Sequence, residues 1–308
     1  MNKKNQDCVG EERSSMNFFK GLVLVALLFL LFFLLPFGTS AQTFLGKNVT
    51  TKVNVTNAAP DVLALYITSP ITLNAGSTRA VQCNATIRDW NGHNDIVGAN
   101  ATFYYKDNQS NDPDNNNTHY TNTTCVEANN DGNFTSNYTC TFSMLYFANN
   151  GTWYCNVTAR DSKYFTSLNA SATISALYAL NVTDIIDYGN LSVNDYSNNT
   201  TAIVTNFGNS IINVSVLGYG TTQGDGVGLV CQYGGNISIQ NEKFSSDISA
   251  AWGSKTTLGT TNKDIGITLA KQTLDNTLIT ANTYWQLYVP PNPFGLCTGT
   301  VRFTAATP

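Results

Sequence analysis

The stretch Gly151-Thr-Trp-Tyr-Cys-Asn-Val-Thr-Ala-Arg160 decides the reading of this chain. Polar and apolar residues alternate around Cys155, the period-two pattern of a half-buried strand. A second run, Arg79-Ala-Val-Gln-Cys-Asn-Ala-Thr-Ile-Arg88, puts Val81, Cys83, Ala85 and Ile87 on one face. Each run carries a cysteine in mid-strand, and the two are 72 residues apart. That separation suits a bridge between two stacked sheets.

Outward from these two runs the pattern continues. Val62–Thr68 reads as a strand broken at Ser69-Pro70, and Ala99–Lys106 as another. A polar loop covers 107–118. Asn129-Asn-Asp-Gly132 is a turn signal between Tyr120–Val126 and Phe134–Phe142, which predicts a hairpin from those two arms. Tyr164–Tyr178 supplies the last strand. Proline is scarce, at eight residues in the whole chain, and no long stretch shows a helical period. Short strands separated by turns predict an all-β sandwich over 61–179.

Upstream lies an export segment. Leu22–Leu35 is an unbroken apolar run, shorter than the ~20 residues that span a bilayer. Lys3, Lys4, Arg13 and Lys20 precede it; Pro36-Phe-Gly and the small residues Thr39-Ser40-Ala41 follow. This predicts a signal peptide or membrane anchor over 1–41, with cleavage after Ala41. Two other fates are open. Residues 21–37 uncleaved would anchor the protein with its basic end inside. Lys20-Gly21 beside the apolar run also resembles the processing site of type IV pilins, which implies a filament subunit. Residues 42–60 read as a polar linker or an N-terminal strand able to add to a neighbour's sheet.

The chain has 16 Lys and Arg against 20 Asp and Glu. Four of the former and three of the latter precede Gln42, so the exported part is mildly acidic. It has no basic stripe for nucleic acid. Asn, Ser and Thr supply the surface polarity instead.

Of seven cysteines, Cys8 precedes the export segment. The other six suit a disulfide framework and allow fifteen pairings. Besides Cys83 with Cys155, Cys125 and Cys140 flank the Asn-Asp-Gly turn at matched distances and can face each other across it. Cys231 and Cys297 remain as the third pair. No two are spaced Cys-x-x-Cys, and only His93 and His119 could assist a metal, so zinc is not expected.

Asn149-x-Gly151-x-Trp153-x-Cys155 resembles the Asp-x-Gly-x-Tyr-x-Cys run of immunoglobulin strand F. Trp153 stands where that family has its corner tyrosine. The core tryptophan after the first cysteine is missing, with Phe103 the nearest candidate. The resemblance implies an immunoglobulin-like sandwich rather than a member of the family.

Residues 180–308 read as a second β-sandwich. Ala202-Ile-Val-Thr-Asn-Phe-Gly-Asn-Ser-Ile-Ile-Asn-Val-Ser-Val216 resembles the Thr-Asn-x-Gly-Asn strand–turn–strand of prokaryotic, often archaeal, surface sandwiches. Trp285-Gln-Leu-Tyr-Val-Pro-Pro and Gly295-Leu-Cys-Thr-Gly-Thr-Val-Arg-Phe-Thr304 resemble their last strands. The resemblance implies secreted surface glycoproteins.

Asn-x-Ser/Thr acceptors stand at Asn48, Asn54, Asn84, Asn100, Asn108, Asn116, Asn122, Asn133, Asn137, Asn150, Asn156, Asn169, Asn181, Asn190, Asn198, Asn199, Asn213 and Asn236. After Asn213 only Asn236 qualifies, so the sugar-poor C-terminal region is a candidate contact face.

No Gly-x-Ser-x-Gly, His-Glu-x-x-His or phosphate-loop motif occurs. Gly224-Asp-Gly-Val-Gly228 leads into a strand rather than a helix, so it is a loop and not a dinucleotide site. Asp112-Pro-Asp-Asn-Asn116 alternates oxygen ligands but lacks the glycine and distal acid of a calcium loop. Trp90, Trp153, Trp252 and Trp285 read as core or edge packing rather than a sugar platform.

The expectation is therefore an all-β protein of two immunoglobulin-like sandwiches behind a signal or anchor helix. It is extracellular or at the cell surface, without catalytic site, metal or cofactor. The function expected is structural or adhesive; the alternatives are a carbohydrate- or ligand-binding module and a filament subunit. Partners are other surface proteins or glycans, with no nucleic acid, and the membrane only through the N-terminal segment.

Overall fold

Period-two alternation builds nearly all the regular structure, which among the described residues is nineteen strands and three single-turn 3-10 segments. The computed structural model describes residues 46–308. The expected signal or anchor helix lies outside the described residues. Residues 46–60 take no regular structure, 46–55 are exposed throughout, and residues 56–308 form one compact unit. Among the described residues no helix is long and apolar enough to cross a membrane.

The first sandwich contains β1 (Asp61–Ile67), β2 (Thr78–Arg88), β3 (Gly98–Tyr105), β4 (His119–Asn122), β5 (Val126–Asn130), β6 (Thr135–Leu145), β7 (Gly151–Arg160) and β8 (Phe165–Ile174). One antiparallel sheet runs β1-β2-β6-β5 and the other β4-β3-β7-β8. These are the immunoglobulin orders ABED and C′CFG. Val81, Cys83, Ala85 and Ile87 of β2 are all buried against Trp153, Cys155, Val157 and Ala159 of β7.

The Cys83–Cys155 disulfide joins the two layers. Trp153 is fully buried, and its Nε1 donates to the carbonyl of Asn149 at 2.7 Å. In immunoglobulin domains a tyrosine hydroxyl two residues before the second cysteine reaches back in the same way. Here an indole N–H performs that bond and adds core volume. Phe103, opposite Cys155 in the β3–β7 register, stacks on Trp153 at 5.1 Å and fills the centre.

The expected hairpin needs a correction. Tyr120 lies in β4, in the other sheet, and only Val126–Asn130 pairs with β6. The chain changes layer within Thr123–Cys125. Tyr120 turns inward, packs on Trp153 at 6.0 Å, and its hydroxyl donates to Asn116 O and accepts from Leu145 N. A disulfide holds Cys125 to Cys140 at the crossing.

The second sandwich contains β9 (Leu180–Val182), β10 (Thr200–Asn206), β11 (Ile212–Tyr219), β12 (Val227–Cys231), β13 (Ile237–Ser238), β14 (Glu242–Ser245), β15 (Thr256–Thr257), β16 (Lys263–Leu269), β17 (Thr280–Leu287), β18 (Cys297–Thr298) and β19 (Thr300–Ala306). The layers are β15-β14-β17-β10-β9 and β16-β11-β19, with β13-β12-β18 as a small third sheet. Trp285 and Phe244 centre its core at 5.3 Å.

The turn Thr205-Asn-Phe-Gly-Asn209 joins the two sandwiches. Buried Asn206 donates to the carbonyls of Ser210, Leu269 and Ala270 and accepts from Gly208 N. Asn209 Oδ1 accepts from Leu177 N at 2.7 Å, which ties in the connecting chain. A Cβ at Gly208 would lie 2.0 Å from Leu177 O, so only glycine fits there. Phe207 packs on Tyr146 at 5.5 Å and against Gly76, whose φ of 62° and lack of a side chain admit the ring.

Lys271 completes the joint. Its Nζ donates to Asn117 Oδ1 (2.5 Å), Asn149 Oδ1 (2.6 Å) and Phe147 O (3.0 Å), all in the first sandwich. Burial holds this ammonium down at about 8. Neutral oxygens on three sides replace its lost water. Tyr146 also donates its hydroxyl to Gln272 Oε1.

Two outcomes follow from these buried groups. Lys271→Met keeps the stem but leaves three oxygens without their donor; thermal melts should show a loss of about 2–3 kcal/mol. Glu242 is 4% exposed and accepts from Tyr188 Oη at 2.7 Å, and burial pushes its carboxyl up to about 7 from 4.5. The folded state thus keeps a proton that the unfolded chain releases, so Glu242 contributes stability below pH 4.5 that is lost as pH rises through 7. Glu242→Gln should match the parent at low pH and exceed it above pH 7, by on the order of 3 kcal/mol in denaturant titrations.

Candidate functional site

The third disulfide closes an exposed apolar feature of the second sandwich. Cys231 ends β12 and Cys297 opens β18, opposite each other in register. The loops beyond them zip together: Gln232 N donates to Leu296 O, Tyr233 N to Phe294 O and Phe294 N to Gly234 O, at 2.9–3.1 Å. Gly235 and Gly295 have φ of 67° and 88°, and a Cβ on either would meet Asn292 O or the Tyr233 ring within 2.6 Å. The closed loops leave Tyr233, Phe294 and Leu296 on the tip at 66%, 69% and 72% exposure. The Tyr233 and Phe294 rings lie 5.3 Å apart. Nothing in the periodic pattern marks this tip; the available signal is Phe and Leu inside a Pro- and Gly-rich loop beside a cysteine.

Three carboxylates converge at one end of the first sandwich. Asp89 follows β2, Asp95 lies in the turn His93–Asp95, and Asp161 follows β7. One oxygen of each lies within 4.8 Å of the other two. Asp89 Oδ1 accepts from Asn91 N at 2.8 Å. Asp161 accepts from Lys163 N and Tyr164 N at 2.5 and 2.6 Å, and from Asn57 Nδ2 at 2.9 Å. Oδ2 of Asp89 and Oδ2 of Asp95 are buried and accept no hydrogen bond from the described residues. Burial pushes the Asp89 carboxyl up, and the charges of Asp95 and Asp161 push the same way against the Asn91 amide. Sequence reading missed this cluster, because Asp161 joins it from 66 residues beyond Asp95.

The loop that resembled a calcium site uses its oxygens internally. Asp112 accepts from Asn108 Nδ2 and Gln109 N, and Asp114 from His119 Nδ1 and Thr121 Oγ1. His119 is 1% exposed, with its Nε2 3.3 Å from Ser110 O. Both ring nitrogens hold the loop, so this His–Asp pair has no free nitrogen to activate a nucleophile.

Trp153 and Trp285 are core residues, whereas Trp90 is 60% exposed beneath the Arg88 guanidinium at 4.4 Å. Trp252 is half-buried under Lys243 at 4.7 Å. None of the eighteen Asn-x-Ser/Thr asparagines is buried, while the buried asparagines Asn117, Asn206 and Asn209 all lie outside the motif. Asn116 Nδ2 donates to Asp275 and Asn150 Nδ2 to Ser210 Oγ, both across the joint.

No known protein family and no curated protein matches the chain. A solved chaperone–tip adhesion subunit complex, CsuC–CsuE of the archaic chaperone-usher Csu pili of Acinetobacter baumannii, matches with a TM-score of 0.37 at 10% identity, over 79% of this chain and 100% of that one. A chaperone–tip adhesin complex of CFA/I fimbriae biogenesis matches with a TM-score of 0.27 at 11% identity, over 80% and 83%. Escherichia coli alpha-2-macroglobulin matches with a TM-score of 0.25 at 10% identity, over 78% of this chain and 22% of that one. At that degree of likeness none of the three carries a functional argument.

Proposed function

We propose that this protein is a non-catalytic extracellular glycoprotein of structural or adhesive type, which presents an apolar contact tip on two joined sandwiches. The observation that carries this reading is the tip itself. Tyr233, Phe294 and Leu296 stand two-thirds exposed on loops closed by the Cys231–Cys297 disulfide. A cluster of large apolar side chains on a soluble surface is costly unless a partner covers it. Loops already zipped and cross-linked lose little entropy on binding, so burial of the tip goes into affinity. Tyr and Phe supply large contact area with few rotatable bonds. The partner this chemistry fits is the apolar surface of another protein.

Three disulfides support an oxidising compartment. That none of the candidate acceptors is buried supports glycan attachment, and so does the resemblance to prokaryotic surface glycoproteins. Sugars on these asparagines would cover a surface with few charges. A filament subunit remains the alternative that rests on the N-terminal segment, outside the described residues; the N-terminal residue of the mature protein decides it, since Leu22 identifies pilin-type processing and Gln42 a released chain.

Replacing Tyr233, Phe294 and Leu296 together by Ser should leave the melting temperature within about 2 °C, since exposed side chains contribute little to folding. It should lower retention on envelopes isolated from the producing cells at least tenfold, measured by co-sedimentation. Unchanged retention defeats the tip reading. Glycopeptide mass spectrometry of the natural protein should find sugar at Asn84, Asn100, Asn133 and Asn169, whose side-chain nitrogens point to solvent without a partner among the described residues. Asn116 and Asn150 should be bare, because a glycan on Nδ2 would displace their bonds across the joint.

A further inference from the structure

The cluster at the end of the first sandwich has more negative charge than its surroundings answer. Asp89 is fully buried, Asp161 is 7% exposed, and Asp95 is half-buried beside them. Bringing like charges together out of water is unfavourable unless an opposite charge joins them. The adjacent cation in the chain, Arg88, turns away: its Nη2 lies 3.1 Å from Asp61 Oδ2 and its guanidinium sits over Trp90. Lys163 reaches Asp161 through its backbone N–H only. His93 opens the turn that carries Asp95 and makes no side-chain bond to the cluster among the described residues. The orphaned Oδ2 atoms of Asp89 and Asp95 are the second observation, since buried oxygens of this kind are rarely left unpartnered.

We propose that Asp89, Asp95 and Asp161 form a binding site for a hard divalent cation, and that the ion is calcium. The donor set is all oxygen, with no thiolate and no imidazole bound to it, which favours calcium or magnesium over zinc or copper. Two of the three ligands sit at strand ends and one in a short turn. Calcium accepts such irregular sites with six to eight oxygens, whereas magnesium demands near-ideal octahedral geometry. The cation would satisfy both orphaned oxygens at once and tie the loop after β2 to the loop after β7.

The site also reaches the chain that enters the sandwich. Asn57 Nδ2 donates to Asp161 Oδ2, and Ala58 N donates to Oδ1 of Asn91, which lies between Asp89 and the turn, at 2.6 Å. Calcium would therefore fix the entry of residues 57–60 as well as the two loops. This inference stands on the carboxylate geometry and does not rest on the adhesive reading.

The test uses the full exported chain, stripped with EGTA and titrated with CaCl2 or MgCl2 at pH 7.5. Calorimetry should show one saturable calcium site per chain. At calcium one hundred times the dissociation constant, the melting temperature should rise by roughly 5 °C. Asp95→Asn, whose side chain makes no other bond among the described residues, should weaken calcium binding at least tenfold. Asp89→Asn should do the same. In EGTA both variants should melt at or above the parent temperature, because each removes a charge from the cluster; that result separates loss of the ion from loss of the fold. Equal melting in EGTA and CaCl2 with no saturable heat overturns the site. Undiminished binding by Asp95→Asn overturns the ligand set, and magnesium binding as tight as calcium overturns the choice of ion.

Discussion

The Cys83–Cys155 bridge is the constraint on which the first sandwich depends. It crosses the layers at the centre of the buried core, where Phe103 stacks on Trp153. Cys83 also lies opposite Cys140 in the β2–β6 register, so the second bridge, to Cys125, starts from the adjacent strand at the same level. The two bonds set three relationships together: layer to layer, strand to strand, and the point where the chain crosses from β4 to β5. Each such cross-link contributes about 2–4 kcal/mol by restricting the unfolded chain. With the sheets held there, the loops after β2 and β7 emerge at one end, which is why Asp89 and Asp161 can meet.

Polar satisfaction divides the molecule into finished and unfinished parts. At the joint, buried polar groups find their partners. Asn206 donates to three carbonyls, Lys271 has three oxygens, and Asn209 bonds the connecting chain. Networks of this kind hold one arrangement, because any displacement leaves several groups without water or protein partners. The carboxylate end differs: its oxygens are assembled and only part of their demand is met by protein donors. That contrast within one chain makes the end a place for a ligand and the joint a place for rigidity.

The surface follows from low charge. Charged residues are 12% of the chain, and polarity comes from asparagine, serine and threonine. Their side chains bond across neighbouring strands, as Thr86 Oγ1 does to Asn137 and Thr139 Oγ1 to Asn84. Such ladders stabilise exposed sheet faces without salt-sensitive ion pairs. Against that uniform background the apolar tip and the acidic cluster stand out, at different sandwiches.

The sequence by itself determined what local patterns encode. Alternation in β2 and β7 marked their buried faces, because side-chain direction in a strand has a period of two. The paired cysteines and the corner position of Trp153 were legible for the same reason, and the structure joins the same three pairs. What the local pattern missed was where the chain changes layer and which loops meet. Tyr120–Val126 read as one strand, yet tertiary packing of Tyr120 on Trp153 and the Cys125 bridge divide it between two sheets. The acidic motif that was visible, Asp112 to Asn116, spends its oxygens on its own loop. The acidic cluster that matters is invisible in order of sequence, since Asp161 reaches Asp89 only because two strands far apart in the chain, one in each sheet, end near each other. The tip is likewise a product of folding: Tyr233 and Phe294 are 61 residues apart, and a disulfide and three backbone hydrogen bonds bring them together. Local periodicity determines which face of a strand is buried; which loops meet is decided by how the sheets stack.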